Sequence, residues 1–235
     1  MKKFIVENAF WELFPEAKIG VVVVYDIDNT VEDVKKYEGI LREAEKQAMN
    51  HLKEAVLSEN EVIKVWRDAF QKFKTKKGVR SSIEALLKRV HKGNQIGNIN
   101  PLVDLYNSVS LKHALPCGGE DKDNFAGNIK LTKAQGDEPF VTLGTDKNES
   151  PYKGEIVYKD DEGAICRCWN WRESARTCIT DKTKNAFLCI EMIDSSRQND
   201  FDKALKELGA LIKDNLGGTY KIEVLSIHNK EVEIG

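Results

Sequence analysis

The feature that most constrains the fold is a change of apolar period near Pro116. Before it, apolar residues recur three or four apart; after it, short period-two runs stand between glycines. The helical stripes are Val34, Tyr37, Leu41, Ala44, Ala48, Leu52 and Ala55, then Val62, Trp66, Ala69, Phe70 and Phe73, then Ile83, Leu86, Leu87 and Val90. Asn29 or Thr30 is placed to cap the first helix, with Asp33 in its first turn. Ser58 with Glu61 forms a capping-box pattern for the second, which Gly78 ends. Asn100 before Pro101 predicts a fourth helix through Leu111. One β-branched run, Lys18–Tyr25, precedes these helices and reads as a buried strand. After Pro116, residues 128–133, 139–143, 155–158 and 164–169 read as antiparallel strands, and 187–193 as another. An amphipathic helix over 201–216, stopped by Gly217-Gly218, and a strand over 220–227 close the chain. Helices first and strands later predict an α+β fold. Its helical N-terminal half has one leading strand, and a mostly antiparallel sheet and a C-terminal helix–strand unit follow.

Composition narrows the class. The chain has 235 residues, 41% apolar and 31% charged, enough to build an ordinary buried core without a disulfide scaffold. The longest apolar run, 19–25, is far short of the ~18–20 residues of a membrane span. Glu7 and Glu12 interrupt any signal-peptide core after Met1-Lys2-Lys3, so no membrane partner and a cytoplasmic location are expected. A net charge of −2 excludes a general polyanion binder, and DNA is not an expected partner. The charge is nevertheless uneven. Lys72, Lys74, Lys76, Lys77, Arg80, Lys88, Arg89 and Lys92 crowd one stretch opposed only by Glu84, a local excess suited to a phosphate backbone or simply to a solvated helix face. The five cysteines, Cys117, Cys166, Cys168, Cys178 and Cys189, have no metal-ligand spacing and read as free thiols; no metal site and no cofactor are expected.

Three motifs bear on chemistry. Asp26-Ile27-Asp28-Asn29-Thr30 after a run of valines resembles the signature of haloacid-dehalogenase-type phosphatases, where paired carboxylates serve Mg²⁺ and phosphate, with Asp160-Asp161 as an acidic pair. That fold needs interior parallel strands, whereas 31–111 reads as consecutive helices, so an ordinary strand-to-helix turn is the favoured reading. Of the four histidines, only His113 stands beside a turn, Pro116-Cys117-Gly118-Gly119, where it could line a pocket. The densest constellation is 163–177, where Trp169, Asn170, Trp171, Arg167, Arg172 and Arg176 lie close together. It is either a strand and turn with buried tryptophans, or a pocket wall with an aromatic platform and guanidinium anion contacts.

Taken together, these segments resemble the tRNA-binding/editing domain of the phenylalanyl-tRNA synthetase beta subunit, a module that also occurs as free-standing proteins. The matching stretches are Ile99-Asn-Pro-Leu-Val-Asp104-Leu-Tyr-Asn107-Ser-Val109, Pro116-Cys-Gly-Gly-Glu-Asp121, Gly136-Asp-Glu-Pro-Phe-Val-Thr-Leu-Gly144, Ile156-Val-Tyr-Lys-Asp-Asp-Glu-Gly163 and Thr183-Lys-Asn-Ala-Phe-Leu. The likeness covers about 80–194, which implies a single domain over 1–235 with 1–79 and 195–235 packed around that core. It implies a tRNA-binding protein that hydrolyses mischarged aminoacyl-tRNA in trans. A non-catalytic amino-acid- or tRNA-binding module is the alternative, and an Mg²⁺-dependent phosphatase using Asp26 and Asp28 a distant third. The family's His of His-Ala-Phe-Asp aligns with Gly118, and its hydroxyl-reading Glu with Ala175, so the resemblance implies a different and smaller amino acid as the expected cargo. The residues expected at the reacting ester are Asn107, Gly118, Gly119 and Glu155. Those expected around the substrate are His113, Trp169, Asn170, Trp171, Arg172, Glu173 and Thr177, with Trp169 or Trp171 stacked on the terminal adenine. Lys74, Lys76, Lys77 and Arg80 are expected to meet the acceptor-stem phosphates.

Overall fold

The computed structural model describes residues 1–30 and 33–235. Its strands are β1 (Lys3–Val6), β2 (Lys18–Tyr25), β3 (Cys117–Asp121), β4 (Ile129–Lys133), β5 (Ile156–Lys159), β6 (Ala164–Arg167), β7 (Arg172–Glu173), β8 (Ala186–Met192), β9 (Thr219–Leu225) and β10 (Glu231–Glu233). Its helices are α1 (Asn8–Trp11), α2 (Val34–Ala48), α3 (Glu61–Ala69), α4 (Ser82–His91), α5 (Pro101–His113) and α6 (Gln198–Leu216). The α+β class and the order expected from the sequence are what the chain adopts. The strands form two sheets, one ordered β10-β1-β4-β5-β6-β7 and one ordered β3-β8-β2-β9. Every ladder is antiparallel except β1 with β4.

The pleat of the four-stranded sheet sorts its side chains into two layers. Val22 and Val24 of β2, with Leu188, Ile190 and Met192 of β8, pack against α5 and α6 through Leu102, Leu105, Phe201, Leu205 and Leu208. Gly20 shares that face because a Cβ there would lie 2.5 Å from the Leu205 side chain. The opposite parity, Val21 and Val23 of β2 with Phe187 and Cys189 of β8, turns toward the six-stranded sheet and meets Phe4, Ile129, Tyr158 and Ile165. Glu191 has this second parity too. A carboxylate is thereby carried into the layer between the sheets.

Several local expectations are corrected. Asp33, not Asn29 or Thr30, caps α2, accepting from the Lys36 N–H at 3.2 Å; residues 31 and 32 lie outside the described residues. The helix ends at Ala48 rather than Ala55, running into a short 3₁₀ turn. Helix α3 starts after Asn60, not Ser58: the Asn60 amide binds the backbone of Glu54, Val56 and Leu57 and draws the preceding loop onto itself. The 139–143 run forms only isolated bridges, Val141 with Asn148 and Thr142 with Ser174. The Asn148 side chain takes the Phe140 N–H that a neighbouring strand would have used. Beyond the expected elements the structure adds β1, α1, β3, β7 and β10.

Asn29 has a structural task of its own. It is 1% exposed, its Oδ1 accepts the Leu102 N–H at 2.7 Å, and its Nδ2 donates to Asn100 Oδ1 and to the Thr180 carbonyl. Asn100 in turn accepts the Val103 N–H. Two asparagines thus cap α5 together. Strand β2, which precedes Asp26, lies between two antiparallel neighbours. The parallel sheet that a phosphatase of the haloacid-dehalogenase type requires is missing around it.

Candidate functional site

Between the two sheets a cleft opens whose empty space, mouth included, is about 510 Å³. Its floor is apolar: Phe125, Ile129, Ile165 and Phe187. Its walls carry Glu120 from β3, Glu173 from β7 and Glu191 from β8, and no Lys, Arg or His is among the lining residues. Parity again explains the placement. On β3, Gly119 faces Leu188 of the helix layer, so Gly118 and Glu120 face the cleft. A Cβ on Gly118 would stand 3.6 Å from Glu173 Oε1. Sheet order makes β3 an edge strand, and there the Gly119 N–H faces the Glu173 carboxylate.

Burial dominates the electrostatics. Desolvation raises Glu173 to about 7, against the opposing pull of the Gly119 N–H. It also raises Glu191 to about 7, although the Tyr158 hydroxyl donates to Oε1 at 2.5 Å and Asn170 Nδ2 donates to Oε2. Glu120 is raised as well, by burial first and then by the Glu173 charge. Three polar groups around the cleft lack a full hydrogen bond: Glu120 Oε2, the Ser82 hydroxyl and the Trp169 indole N–H. The last is near enough to Glu191 to favour its ionised form. Thr177 Oγ1, fully buried beside Glu120, is also without a full hydrogen bond.

The 168–173 segment is shaped by strain and packing. Cys168 and Trp169 take left-handed φ values of 46° and 65°, a costly conformation for residues with a Cβ. The aromatic cluster holds the turn: Trp169 lies 5.0 Å from Phe10, 4.7 Å from Phe14 and 5.0 Å from Trp66, ring centre to ring centre. The next residue, Asn170, is thereby set between Glu191 and the start of α4, where its Oδ1 accepts the Ser82 N–H at 3.2 Å.

Of the residues expected at the site, the cleft brings together Gly118, Gly119, Trp169, Asn170 and Glu173, with Thr177 beside Glu120. The others lie elsewhere. Glu155 is fully buried in an ion pair with Arg167, at 2.7 and 3.2 Å. Asn107 sits on α5 and does not line the cleft. His113, at the end of α5, pairs with Glu207 at 2.8 Å. Trp169 has no exposed face on which a base could stack, and Trp171 lies under the Arg172 guanidinium, 5.0 Å from its ring centre. Sequence reasoning missed Glu120, Glu191, Tyr158 and Ser82. The available signal was a charged residue inside an apolar strand, Glu191 in 186–192, and Glu120 directly after the paired glycines.

A second groove, with about 700 Å³ of empty space at an open surface, is lined by Lys76, Lys77, Arg80 and Arg67. Its lining includes Ser81, the cap of α4, whose neighbour Ser82 lines the cleft. Lys74 lies near Tyr152, 5.8 Å from its ring centre. Lys76 is 3.4 Å from Glu149 and Arg80 3.2 Å from Glu84, while Lys77 is exposed. Among the described residues no cluster of His, Cys, Asp and Glu could hold a metal ion, and no helix is long and apolar enough to cross a membrane.

A curated relative, the phenylalanine–tRNA ligase beta subunit of Ruegeria pomeroyi, is 31% identical over 126 residues, 53% of this chain and 14% of that one. The chain therefore spans about one-seventh of that relative's length. A solved N-terminal fragment of the phenylalanyl-tRNA synthetase beta subunit from Pyrococcus horikoshii superposes with a TM-score of 0.43 at 14% identity, over 93% of this chain and 49% of the fragment. The B3/4 domain model matches residues 65–214, a span that contains α4, α5, β3 to β8 and the whole cleft, and the chain belongs to the B3/4 domain family.

Proposed function

We propose that this protein binds aminoacylated tRNA and hydrolyses mischarged aminoacyl-tRNA in trans, as a cytoplasmic quality-control step of translation. The observation that carries the reading is the cleft of Glu120, Glu173 and Glu191, with two carboxyls poised near 7 and a basic groove whose lining residue Ser81 adjoins Ser82 of the cleft. The tRNA ligase named among the relatives supports a tRNA partner. The acceptor-stem phosphates follow Lys76, Lys77 and Arg80, and the 3′ end enters the cleft past Ser82.

Glu173, at the partly open mouth, is the general base, because a carboxylate near 7 is both ionised and basic at working pH. It takes a proton from water as the water oxygen bonds to the ester carbonyl carbon. The tetrahedral adduct then expels the ribose oxygen, which leaves with that proton, giving free amino acid and tRNA. The Gly119 N–H holds Glu173 in place, and Gly118 leaves the ester room beside it. Two further roles follow from position. Asn170 and Tyr158 orient Glu191, and Trp169 fixes the turn that carries Asn170. The test is release of amino acid from a panel of mischarged aminoacyl-tRNAs. Release from one or a few pairs is expected; no release from any pair, at concentrations where tRNA binds, would overturn the hydrolase reading. The second reading, a non-catalytic amino-acid- or tRNA-binding module, is favoured by one observation: no histidine lines the cleft.

A further inference from the structure

The charge balance of the cleft is unusual. Three carboxyl groups line it, and no Lys, Arg or His is among the lining residues to pair with them when ionised. The Arg176 guanidinium, whose charge acts on Glu120, is already paired with Asp160 at 2.6 Å and with Glu162 at 3.5 Å. Glu155, by contrast, has its own arginine. Buried carboxylates are normally paired, and an acceptor atom sealed from water is normally bonded. Glu120 is 7% exposed and its Oε2 lacks a full hydrogen bond; the buried Thr177 hydroxyl beside it is near enough to favour the ionised form but brings no charge. Both oxygens of Glu191, in contrast, are engaged by Tyr158 and Asn170. The missing component is a cationic donor at Glu120.

We propose that the cleft is a receptor for the α-ammonium group of an esterified amino acid, with Glu120 Oε2 as the primary acceptor and Glu173 and Glu191 as the surrounding negative charge. The inference rests on the cleft being where an aminoacyl ester binds, and it names what is recognised there. It also implies a direction. An aminoacyl ester carries a net positive charge, whereas the free amino acid released by hydrolysis carries a carboxylate that three acidic side chains repel. The receptor thus holds substrate and expels product.

Cation binding also moves protons. Burial holds Glu173 and Glu191 near 7 and raises Glu120 as well, and an incoming ammonium favours the ionised forms of all three. Of the other groups that act on them, the Arg176 guanidinium is charged and lowers Glu120, while burial holds neutral the thiols of Cys117, Cys166 and Cys189 and the phenols of Tyr106 and Tyr158. Cys178, near Glu120, is raised as well. Affinity for an ammonium is therefore expected to rise from pH 6 to pH 7.5. It falls again as the ligand's own amine, with a pKa of about 7.7–8.0, loses its proton.

The experiment is calorimetric titration of the whole protein with the twenty amino-acid amides, which mimic the ester by keeping the α-ammonium while leaving the carboxyl end without charge. The N-acetyl amide and the free acid of whichever amide binds are then titrated. Binding of at least one amide is expected, with net proton release at pH 6.5 in buffers of different ionisation enthalpy. N-acetylation, or a free carboxylate, should weaken it about 10- to 100-fold, the range for losing a charged hydrogen-bond partner. Glu120→Gln should weaken it comparably while the protein stays folded, since glutamine keeps the shape and cannot ionise to meet the ammonium. No binding by any amide, or an N-acetyl amide bound within twofold of its parent, would overturn the proposal, and neither result depends on the variant. Amide binding without hydrolysis of any mischarged tRNA would remove the hydrolase and leave the receptor standing. Hydrolysis indifferent to N-acetylation would remove the receptor and leave the hydrolase.

Discussion

Glu155 and Glu191 are both buried carboxylates, and their neighbours give them opposite tasks. Glu155 is fully buried and forked by Arg167, so Glu155→Ala leaves that guanidinium unpaired in the core. A cost of about 3–5 kcal/mol is expected from urea unfolding. Glu191 has no cation, and burial lifts it from 4.5 to about 7. A carboxyl whose folded pKa lies above its unfolded one binds more protons folded than unfolded between those values. Stability therefore falls as pH rises from about 4.5 to about 7, by about 3 kcal/mol for a shift of this size. Unfolding at pH 5 and pH 7.5 should show that loss, with Glu173 acting in the same direction, and Glu191→Gln should remove much of the slope. A pH-independent stability would mean that these carboxyls are ionised throughout.

At the scale of elements, the acidic motif after β2 acts through its asparagine. Asn29 and Asn100 cap α5, and α5 packs on the four-stranded sheet that presents Glu120 and Glu191. Asn29→Ala strands the Leu102 N–H in a buried place, and a loss of about 1–3 kcal/mol is expected in thermal or urea unfolding. The helices were largely legible because their stripes and caps are local, as the Asn100-Pro101 start of α5 shows. Strand β3 was not legible, since Cys117-Gly-Gly-Glu-Asp121 has neither the β-branched residues nor the alternation of a strand and is held by pairing with β8. The 139–143 run had the alternation but not the ladder. The site divides likewise. Asn170 and Glu173 stand in one dense stretch that draws notice in the sequence. Glu120, Tyr158 and Glu191 belong to three strands on two sheets, and only the facing of those sheets makes them one wall.

At the scale of the whole molecule, a basic groove and an acidic cleft lie side by side at the start of α4, although the net charge is only −2. Polyanion binding would rest on that groove alone. Reversing Lys76 and Lys77 to Glu should weaken tRNA binding and reduce the slope of log affinity against log salt by about 2. An unchanged affinity at low salt would remove the groove from the tRNA path. In the proposed reaction the acidic cleft receives the aminoacyl end and Glu173 is the base. The most direct measurement is the pH–rate profile of deacylation for the responsive mischarged tRNA, wild type beside Glu173→Gln. The wild-type rate should rise with an apparent pKa near 7, the value burial gives Glu173. The variant should be slower by about 10²-fold or more with that rise gone. A variant that keeps the wild-type rate and profile would contradict Glu173 as the base and, with it, the cleft as the place of hydrolysis.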